Sequence, residues 1–412
     1  MTKKNGESRF TRRGLLKVAG LAMGTMAATP VLPNSLNLDR LAWAQPGKLS
    51  APLRVGLMLP HSSPHAQAHE NLRAGMNLAF EQMSGETATV SVIAEPIGYS
   101  PTGAKLSARK LLEENELDVV VALVNERVTS QMYKLFHVHK TPLVVLNVGA
   151  NIADEAGQRE YLSHKTLGHW QANGALGNWA AHNMGTRAAM VMSFHESGYD
   201  TPYAFQHGFE AAGGEVVESA VSHHPTGDGL APLLARISAA NPDFVYALYS
   251  GTQAVEFVRA YAEAGLAGRI PLVGSAYLVD EAHLASLGSA AAGIRSAFSW
   301  SPSLRSATND AFNLAYLAAS GRAADSFALL GYDTAKLIGE AARHAGSKAR
   351  MPSALKAANT SAPVYLREVQ RVNGRLQNIV VAELDSATAM VERARTARAE
   401  LKSGWLNPYL VL

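Results

Sequence analysis

A short apolar run, a polar loop and an amphipathic helix follow one another in residues 53–81, LRVGLMLPHSSPHAQAHENLRAGMNLAFE, and this order repeats along most of the chain. The run 53–59 carries a single charge, at Arg54, which favours a strand buried on both faces of a parallel sheet. Ser63 before Pro64 is typical of a helix N-cap followed by proline at the first helical position. In such sheets the loops that leave the carboxyl ends of the strands bind ligands.

The strand–helix alternation occurs as two series separated by a long connection. The sequence predicts strands at 53–59, 89–95, 117–124 and 142–146 in the first series, and at 187–194, 215–221, 243–248 and 270–273 in the second. Two helices, 304–319 and 327–345, follow, and Asn373-Gly374 between apolar runs indicates a β-hairpin. We therefore expect an α/β fold with two similar, doubly wound parallel-sheet lobes joined by a crossover.

The first 44 residues have the features of an export signal. The segment TRRGLLK at 11–17 matches a twin-arginine signal, and the apolar run that follows it, 18–32, is too short and too interrupted by Gly and Pro to span a bilayer. Ala42-Trp43-Ala44 resembles a cleavage site, with an earlier cut or a chance arginine pair as alternatives. We expect a periplasmic protein whose signal peptide, 1–44, is removed and whose precursor uses the twin-arginine export machinery.

Charge and cysteine content exclude several functions. Of 37 basic and 34 acidic residues, seven and two lie in 1–44, so the remainder carries 30 and 32, a net charge of −2. This balance, without a basic tract, argues against a nucleic-acid partner. The chain has no cysteine, which excludes disulfides, thiol catalysis, thiolate metal sites and a lipid-modified cysteine. No cofactor motif is present, and we expect no cofactor.

Histidines and serines near the predicted strand ends suggest two kinds of chemical site. His61, His65 and His69 are spaced four apart, which is compatible with a metal pair, with the lining of a polar pocket, or with surface histidines. No third ligand is indicated, and we expect no metal. The segment 193–197, SFHES, contains suitable residue types for a triad, but neighbouring residues at one strand end cannot supply its geometry. We therefore expect no enzymatic activity.

The chain from residue 53 to about 384 resembles the type I periplasmic substrate-binding proteins of ABC importers, in particular the leucine/isoleucine/valine-binding branch. The resemblance rests on these segments in this order: RVGLMLPHSSPHA, LDVVVALVNERVTSQ, PLVVLNVGAN, MVMSFHESGYDTPYAFQHGFEAAGGEVV, NPDFVYALYSGTQAVEFVRAYAEAGL and LLGYDTAKLIGEAA. It implies a three-stranded hinge and a ligand held between the lobes, with closure as the signal to an ABC permease at the inner membrane. The expected domains are 53–168 plus 299–355 for lobe 1, 169–298 plus 356–390 for lobe 2, and 391–412 as a C-terminal tail.

Strand ends and the resemblance together predict a ligand site that both lobes share. Its residues are His65, Asn125, Glu126, Thr129, Ser130, Asn147, Gly149 and Asn151 from lobe 1, and Tyr199, Tyr249, Ser250, Gly251 and Ser275 from lobe 2. The resemblance implies a hydroxyl, from Thr129 or Ser130, for the carboxylate of the ligand. The two tyrosines have a core position as their alternative, and Glu126 could instead pair with Arg127.

One departure from the family's pattern bears on the ligand. Where amino-acid binders of the family hold the ligand's ammonium with an acidic residue, this chain has Ser275-Ala276. Burying an unpaired ammonium would cost several kcal/mol, so we expect a ligand without one, such as a carboxylic acid or an amide. The predicted function is a solute receptor for an ABC importer; the alternative is a periplasmic ligand-sensing or accessory subunit that acts on another membrane partner.

Overall fold

A computed structural model of the chain defines the fold. It describes residues 48–60, 66–85, 88–97, 100–124, 126–147, 159–194, 200–222, 229–358 and 363–385. The expected signal peptide, 1–44, and the expected tail, 391–412, lie outside these residues.

Strands and helices alternate through the described residues. The strands are β1 Leu53–Met58, β2 Val90–Ala94, β3 Val119–Leu123, β4 Leu143–Asn147, β5 Leu162–Thr166, β6 Arg187–Ser193, β7 Glu215–Ser222, β8 Phe244–Leu248, β9 Leu272–Ser275, β10 Arg295–Phe298, β11 Val364–Val372 and β12 Arg375–Leu384. The α-helices are α1 Ala66–Met83, α2 Pro101–Glu114, α3 Glu126–His139, α4 His169–Asn183, α5 Asp200–Ala211, α6 Leu230–Ala240, α7 Gly251–Glu263, α8 Leu284–Leu287, α9 Ala307–Ser320, α10 Ser326–Ala345 and α11 Met351–Ala358.

The strands form two sheets. The first has five strands in the order β2-β1-β3-β4-β5, and all its neighbours pair in parallel. The second has seven strands in the order β12-β11-β10-β9-β8-β6-β7, parallel from β10 to β7, with the hairpin β11–β12 added antiparallel at one edge. The predicted α/β fold with two doubly wound, largely parallel sheets is confirmed.

The most apolar strands lie inside the sheets, as their composition requires. Every residue of β3, VVVAL, and of β8, FVYAL, is buried, because helices cover both faces of a doubly wound sheet. On the second sheet, one buried cluster contains Phe205, Phe209 and Phe244, and another contains Tyr249 and Phe257. These clusters hold the strand ends, and the residues that follow them, in fixed positions.

The structure contains elements that the sequence pattern did not predict. Strand β5, LSHKT, has polar residues at four of its five positions, but it is the edge strand of the first sheet and needs no continuous apolar run. Strand β10, RSAF, is only four residues long and begins at Arg295, whose guanidinium bonds Glu368 of β11 at 2.8 Å. Helix α11 was also not predicted. Short or polar segments carry too little periodicity to be recognised.

The chain passes between the two sheets at three places, as the resemblance implies. These connections run from β5 to α4, from β10 to α9 and from α11 to β11. Helices α9 and α10 pack against α1, beside the first sheet, although they follow the second sheet's strand β10. In the parts of the chain that the structure describes, no helix is long and apolar enough to cross a membrane.

Candidate functional site

The parallel strands of each sheet end at one edge, and the loops and helix starts beyond that edge form the ligand-binding region of open α/β sheets. Five predicted site residues on these loops lie outside the described residues: His65, Asn125, Gly149, Asn151 and Tyr199. For two others the structure gives the backbone only, with Glu126 starting α3 and Asn147 ending β4. Their contribution to a ligand site stays a prediction.

Helix α3 carries the two hydroxyl groups that were predicted to meet a carboxylate. It begins close to the carboxyl end of β3, so the free N–H groups of its first turn favour an anion on this side of the sheet. Thr129 is fully buried, whereas Ser130 is exposed. Of the two hydroxyls, that of Ser130 is therefore the one accessible from solvent.

The residues after β8 point in different directions. The Tyr249 ring is buried and stacks on Phe257, with 4.3 Å between ring centroids, and its hydroxyl donates to Oγ of Ser222 at 3.1 Å. Tyr249 thus lies in the apolar core of the second sheet. Ser250 is half-buried and precedes α7 without capping it through its side chain, and Gly251 has a φ of 55°. Ser250 and Gly251 are the accessible part of this predicted group.

Strand β9 ends at Ser275, which is fully buried. Its Oγ has no hydrogen-bond partner among the described residues. A short 3₁₀-helix, Ala276–Val279, follows directly and is buried throughout. Position 276, where the resemblance places the acidic residue of amino-acid binders, is therefore an apolar methyl group inside the protein.

The nearest acidic residues along the chain are Asp280 and Glu281, and both are already bound. Oε1 of Glu281 accepts from Nη1 of Arg367 at 3.0 Å and from the Asn378 amide at 2.8 Å. Arg367 is fully buried and also donates to the Trp300 carbonyl at 3.1 Å. Burial raises the pKa of Glu281, and the Arg367 charge opposes that rise. Glu281 and Arg367 thus compensate one another inside the protein.

Asp280 links the segment after β9 to the start of α10. Its Oδ2 accepts a hydrogen bond from Oγ of Ser326 at 3.1 Å. Asp325, the N-cap of α10, accepts from the amide of Asn71 on α1 at 2.6 Å. Burial, and then repulsion from Asp325, raise the pKa of Asp280 to about 6, while Arg367 acts in the opposite direction. The two carboxylates therefore interact across the boundary between the second sheet and the α1–α10 pair.

Four aromatic side chains also meet at this boundary, and we call them the aromatic junction: His169, Tyr277, Phe298 and Phe327. The His169 ring stacks on Tyr277, with 4.1 Å between centroids, and lies 4.5 Å from Phe298. Tyr277 in turn stacks on Phe327, the second residue of α10, with 6.3 Å between centroids. The junction joins the carboxyl edge of the second sheet to a helix that packs beside the first.

No residue of the aromatic junction is among the predicted site residues. A signal was present, because Tyr277 follows the predicted strand 270–273 closely and His169 begins a predicted helix at the crossing between the two series. An aromatic side chain at such a place is equally typical of an ordinary core. Only the tertiary structure shows that these rings meet one another.

One alternative for the histidines at 61, 65 and 69 is a metal pair. His69 is buried on α1, while His61 and His65 lie outside the described residues. Among the residues that are described, no group of three His, Asp or Glu side chains could hold a metal ion.

Comparison with known proteins shows the family to which the chain belongs. The sequence model of a family described as periplasmic binding protein matches residues 52–385. The Leu/Ile/Val-binding protein homolog 6 of Brucella melitensis is 26% identical over 312 residues, which cover 74% of this chain and 79% of that protein.

Solved structures share the fold over most of this chain. An ABC transporter substrate-binding protein from Sphaerobacter thermophilus superposes with a TM-score of 0.75 at 25% identity, covering 81% of this chain and 98% of that one. A solute-binding protein of an ABC transporter from Rhodopseudomonas palustris, in complex with 3,4-dihydroxybenzoic acid, has a TM-score of 0.70 at 26% identity, with 81% and 98% covered.

Proposed function

This chain belongs to the periplasmic binding protein family, it is a solute receptor of the kind that serves ABC importers, and we propose that its ligand is an aromatic carboxylate. The resemblance to the type I, leucine/isoleucine/valine-binding branch is confirmed. The ligand class is a further step, and it depends on what the site offers to an ammonium and to an aromatic ring.

The ligand class is inferred mainly from position 276, where Ala276 offers no negative charge to an ammonium group. The side chain there is apolar and buried, and the neighbouring Asp280 and Glu281 carboxylates are bonded to Ser326 and to Arg367. An ammonium buried beside Ala276 would therefore lack an ion-pair partner from this segment, which costs several kcal/mol. An acid without an amino group avoids this cost.

The aromatic junction supports an aromatic rather than an aliphatic acid. Its rings lie at the strand-end edge of the second sheet, where a planar ligand could continue the stack through offset or edge-to-face contacts. The Rhodopseudomonas palustris relative was solved with 3,4-dihydroxybenzoic acid, whereas the Brucella melitensis relative is named for branched-chain amino acids. The chemistry around Ala276 favours the first of these ligand types.

In the proposed mechanism the ligand binds between two lobes, which close on it. Lobe 1 comprises 53–168 plus 299–355 and lobe 2 comprises 169–298 plus 356–390, as predicted from the sequence. The α3 end of lobe 1 offers the Ser130 hydroxyl and helix N–H groups to the carboxylate. The ligand shifts the protein towards the closed form through the contacts that it makes only there, and the closed form is what the permease recognises. The protein acts by binding alone, without turnover.

The ligand class is tested with the purified mature protein by thermal shift, followed by isothermal titration calorimetry. The panel is benzoate, 4-hydroxybenzoate, leucine and isoleucine, with cyclohexanecarboxylate as an acid of similar size without a flat ring. Binding to the folded state raises the melting temperature with ligand concentration. We expect the two aromatic acids to bind more tightly than the amino acids. Binding of leucine or isoleucine in preference to both aromatic acids would refute the proposed class.

We also propose export by the twin-arginine route, with removal of the signal peptide 1–44. The pair Arg12-Arg13 and the apolar run after it support this route. The test is expression of the precursor in a bacterium with a twin-arginine system, followed by N-terminal sequencing of the periplasmic protein. Arg12→Lys together with Arg13→Lys should keep the protein in the cytoplasm, and continued export of that variant would contradict the route.

A further inference from the structure

His169 is a buried polar side chain at the place where the chain crosses from the first sheet to the second. It is the first residue of α4 and is 1% exposed, yet neither ring nitrogen has a hydrogen-bond partner among the described residues. Buried side-chain polar atoms are nearly always bonded, and leaving one unbonded costs about 1 to 3 kcal/mol. Two such atoms on one ring indicate a group that is built to bond something other than the protein.

The neighbouring rings restrict how a partner can reach this imidazole. Tyr277 stacks on it at a centroid distance of 4.1 Å and an interplanar angle of 22°, and Phe298 lies 4.5 Å away at 32°. Both rings thus pack closely against the imidazole. Hydrogen bonds to Nδ1 and Nε2 lie in the ring plane, so a partner approaches at the edge that carries these two atoms.

The protonation state decides which chemistry the edge of His169 can bind. Burial, with a further contribution from the Arg367 charge, lowers the pKa of His169 to about 3. The ring is then neutral at physiological pH, with one N–H donor and one acceptor nitrogen. A carboxylate can only accept, so it would satisfy one of the two nitrogens. A single hydroxyl group also reaches only one of the two diverging nitrogens, but because it both donates and accepts, it can bond whichever nitrogen faces the ligand.

Ser275 supplies a second polar group at the same edge of the second sheet. Its Oγ is buried without a partner among the described residues. In the sheet register Ser275 pairs with Ala297, the residue before Phe298, and it lies two residues before Tyr277. The two side chains that stack on His169 are thus anchored beside Ser275. Unbonded polar atoms and aromatic faces occur together at this place.

We propose that the edge of His169, together with the Ser275 hydroxyl, forms the polar end of the ligand pocket and binds the ring hydroxyl of a hydroxylated aromatic carboxylate. This inference rests on the proposed function and adds the substituent that the receptor selects. The carboxylate lies towards α3, the aromatic ring lies against the aromatic junction, and the hydroxyl bonds His169. His169 and Ser275 are specificity-determining residues for hydroxylated over unsubstituted acids.

The test is calorimetric titration of the mature protein and its His169→Phe variant with benzoate and with 4-hydroxybenzoate. Phenylalanine keeps an aromatic ring in the stack and removes both nitrogens. We expect the wild type to prefer 4-hydroxybenzoate, and His169→Phe to lose about tenfold of that affinity, as for one lost hydrogen bond. Benzoate affinity should change by less than about threefold, because an unsubstituted ring makes no bond to lose.

Two further variants complete the design. Ser275→Ala should lower 4-hydroxybenzoate affinity selectively, and it decides the question if His169→Phe does not fold. His182→Phe, at the exposed C-terminal end of the same helix, is the matched control and should leave both affinities unchanged. If His169→Phe loses affinity equally for both acids, or for neither, the proposed role of His169 is overturned and the proposed function is not affected. If the wild type binds neither acid, the proposed function fails together with this inference.

Discussion

The Ser326 hydroxyl donates a hydrogen bond to Oδ2 of Asp280 at 3.1 Å, and this bond connects the segment after β9 with the first turn of α10. One partner follows a strand of the second sheet, and the other begins a helix that packs beside the first sheet. This hydrogen bond is therefore one of the contacts that hold the second sheet to the helices beside the first sheet.

Asp280 should make the stability of the protein depend on pH. Its pKa is raised from 3.8 to about 6, through burial first and then through Asp325, against the effect of Arg367. Between these values Asp280 binds more protons in the folded than in the unfolded state, so its contribution to stability is fully present below pH 3.8 and is lost as the pH rises through 6. Asp280→Asn removes this loss and keeps the hydrogen-bonding shape.

We expect Asp280→Asn to gain stability relative to the wild type at pH 7.5 compared with pH 5, by about 1.4 kcal/mol, because only the last unit of the shift, from pH 5 to 6, falls within this range. Urea unfolding at both pH values measures this difference. Asp310→Asn, on the exposed side of α9, is the control and should show little change between the two pH values. A stability difference between Asp280→Asn and wild type that is the same at both pH values would contradict the argument.

The contact between α1 and α10 should not tolerate a side chain at Gly331. A Cβ at this position would overlap the backbone carbonyl oxygen of Leu72, which cannot move without shifting α1. Gly331→Ala should therefore destabilise the protein by about 1 to 3 kcal/mol, despite the better helix propensity of alanine. Gly85→Ala, with nothing within 4 Å of the added Cβ, is the matched control. Equal melting temperatures for the two variants would show that the helices have room to separate.

The buried pair of Arg367 and Glu281 should be strongly coupled. Nη1 of Arg367 lies 3.0 Å from Oε1 of Glu281, with side-chain exposures of 0% and 12%. Arg367→Met leaves a buried carboxylate without its cation and should cost about 3 to 5 kcal/mol, whereas Arg367→Met with Glu281→Gln should cost less than the sum of the single changes. Urea unfolding of the four proteins gives the coupling energy. Additive effects would show that the pair contributes no interaction of its own.

The Ser130 hydroxyl should contribute to carboxylate binding. Ser130 is exposed on α3, while the neighbouring Thr129, the alternative from the sequence, is fully buried. Ser130→Ala should weaken benzoate binding by about tenfold to a hundredfold, because a hydrogen bond to a charged group contributes about 1.5 to 3 kcal/mol. Calorimetry measures it, with Ser286→Ala on the exposed side of α8 as the control. Unchanged binding by Ser130→Ala, with a loss in Thr129→Val, would exchange the two roles.

Much of the fold was predictable because its central strands are strongly apolar. Strands β3 and β8 are buried on both faces, and such runs between helical patterns have few other interpretations. Strands β5 and β10 were missed for the opposite reason. An edge strand with polar residues such as His164, or a strand of four residues beginning at Arg295, has no pattern that distinguishes it from a loop.

The sequence by itself determined the alternation of elements, the two-sheet architecture and the absence of an acidic residue at Ala276, since these depend on local pattern and residue identity. The tertiary structure decided that Asp280 and Glu281 are already bonded, that Tyr249 lies in the core, and that His169 meets Tyr277 and Phe298. The physical reason is distance along the chain. Residues 108 and 129 positions after His169 reach its ring only because parallel strands bring their carboxyl ends to one edge.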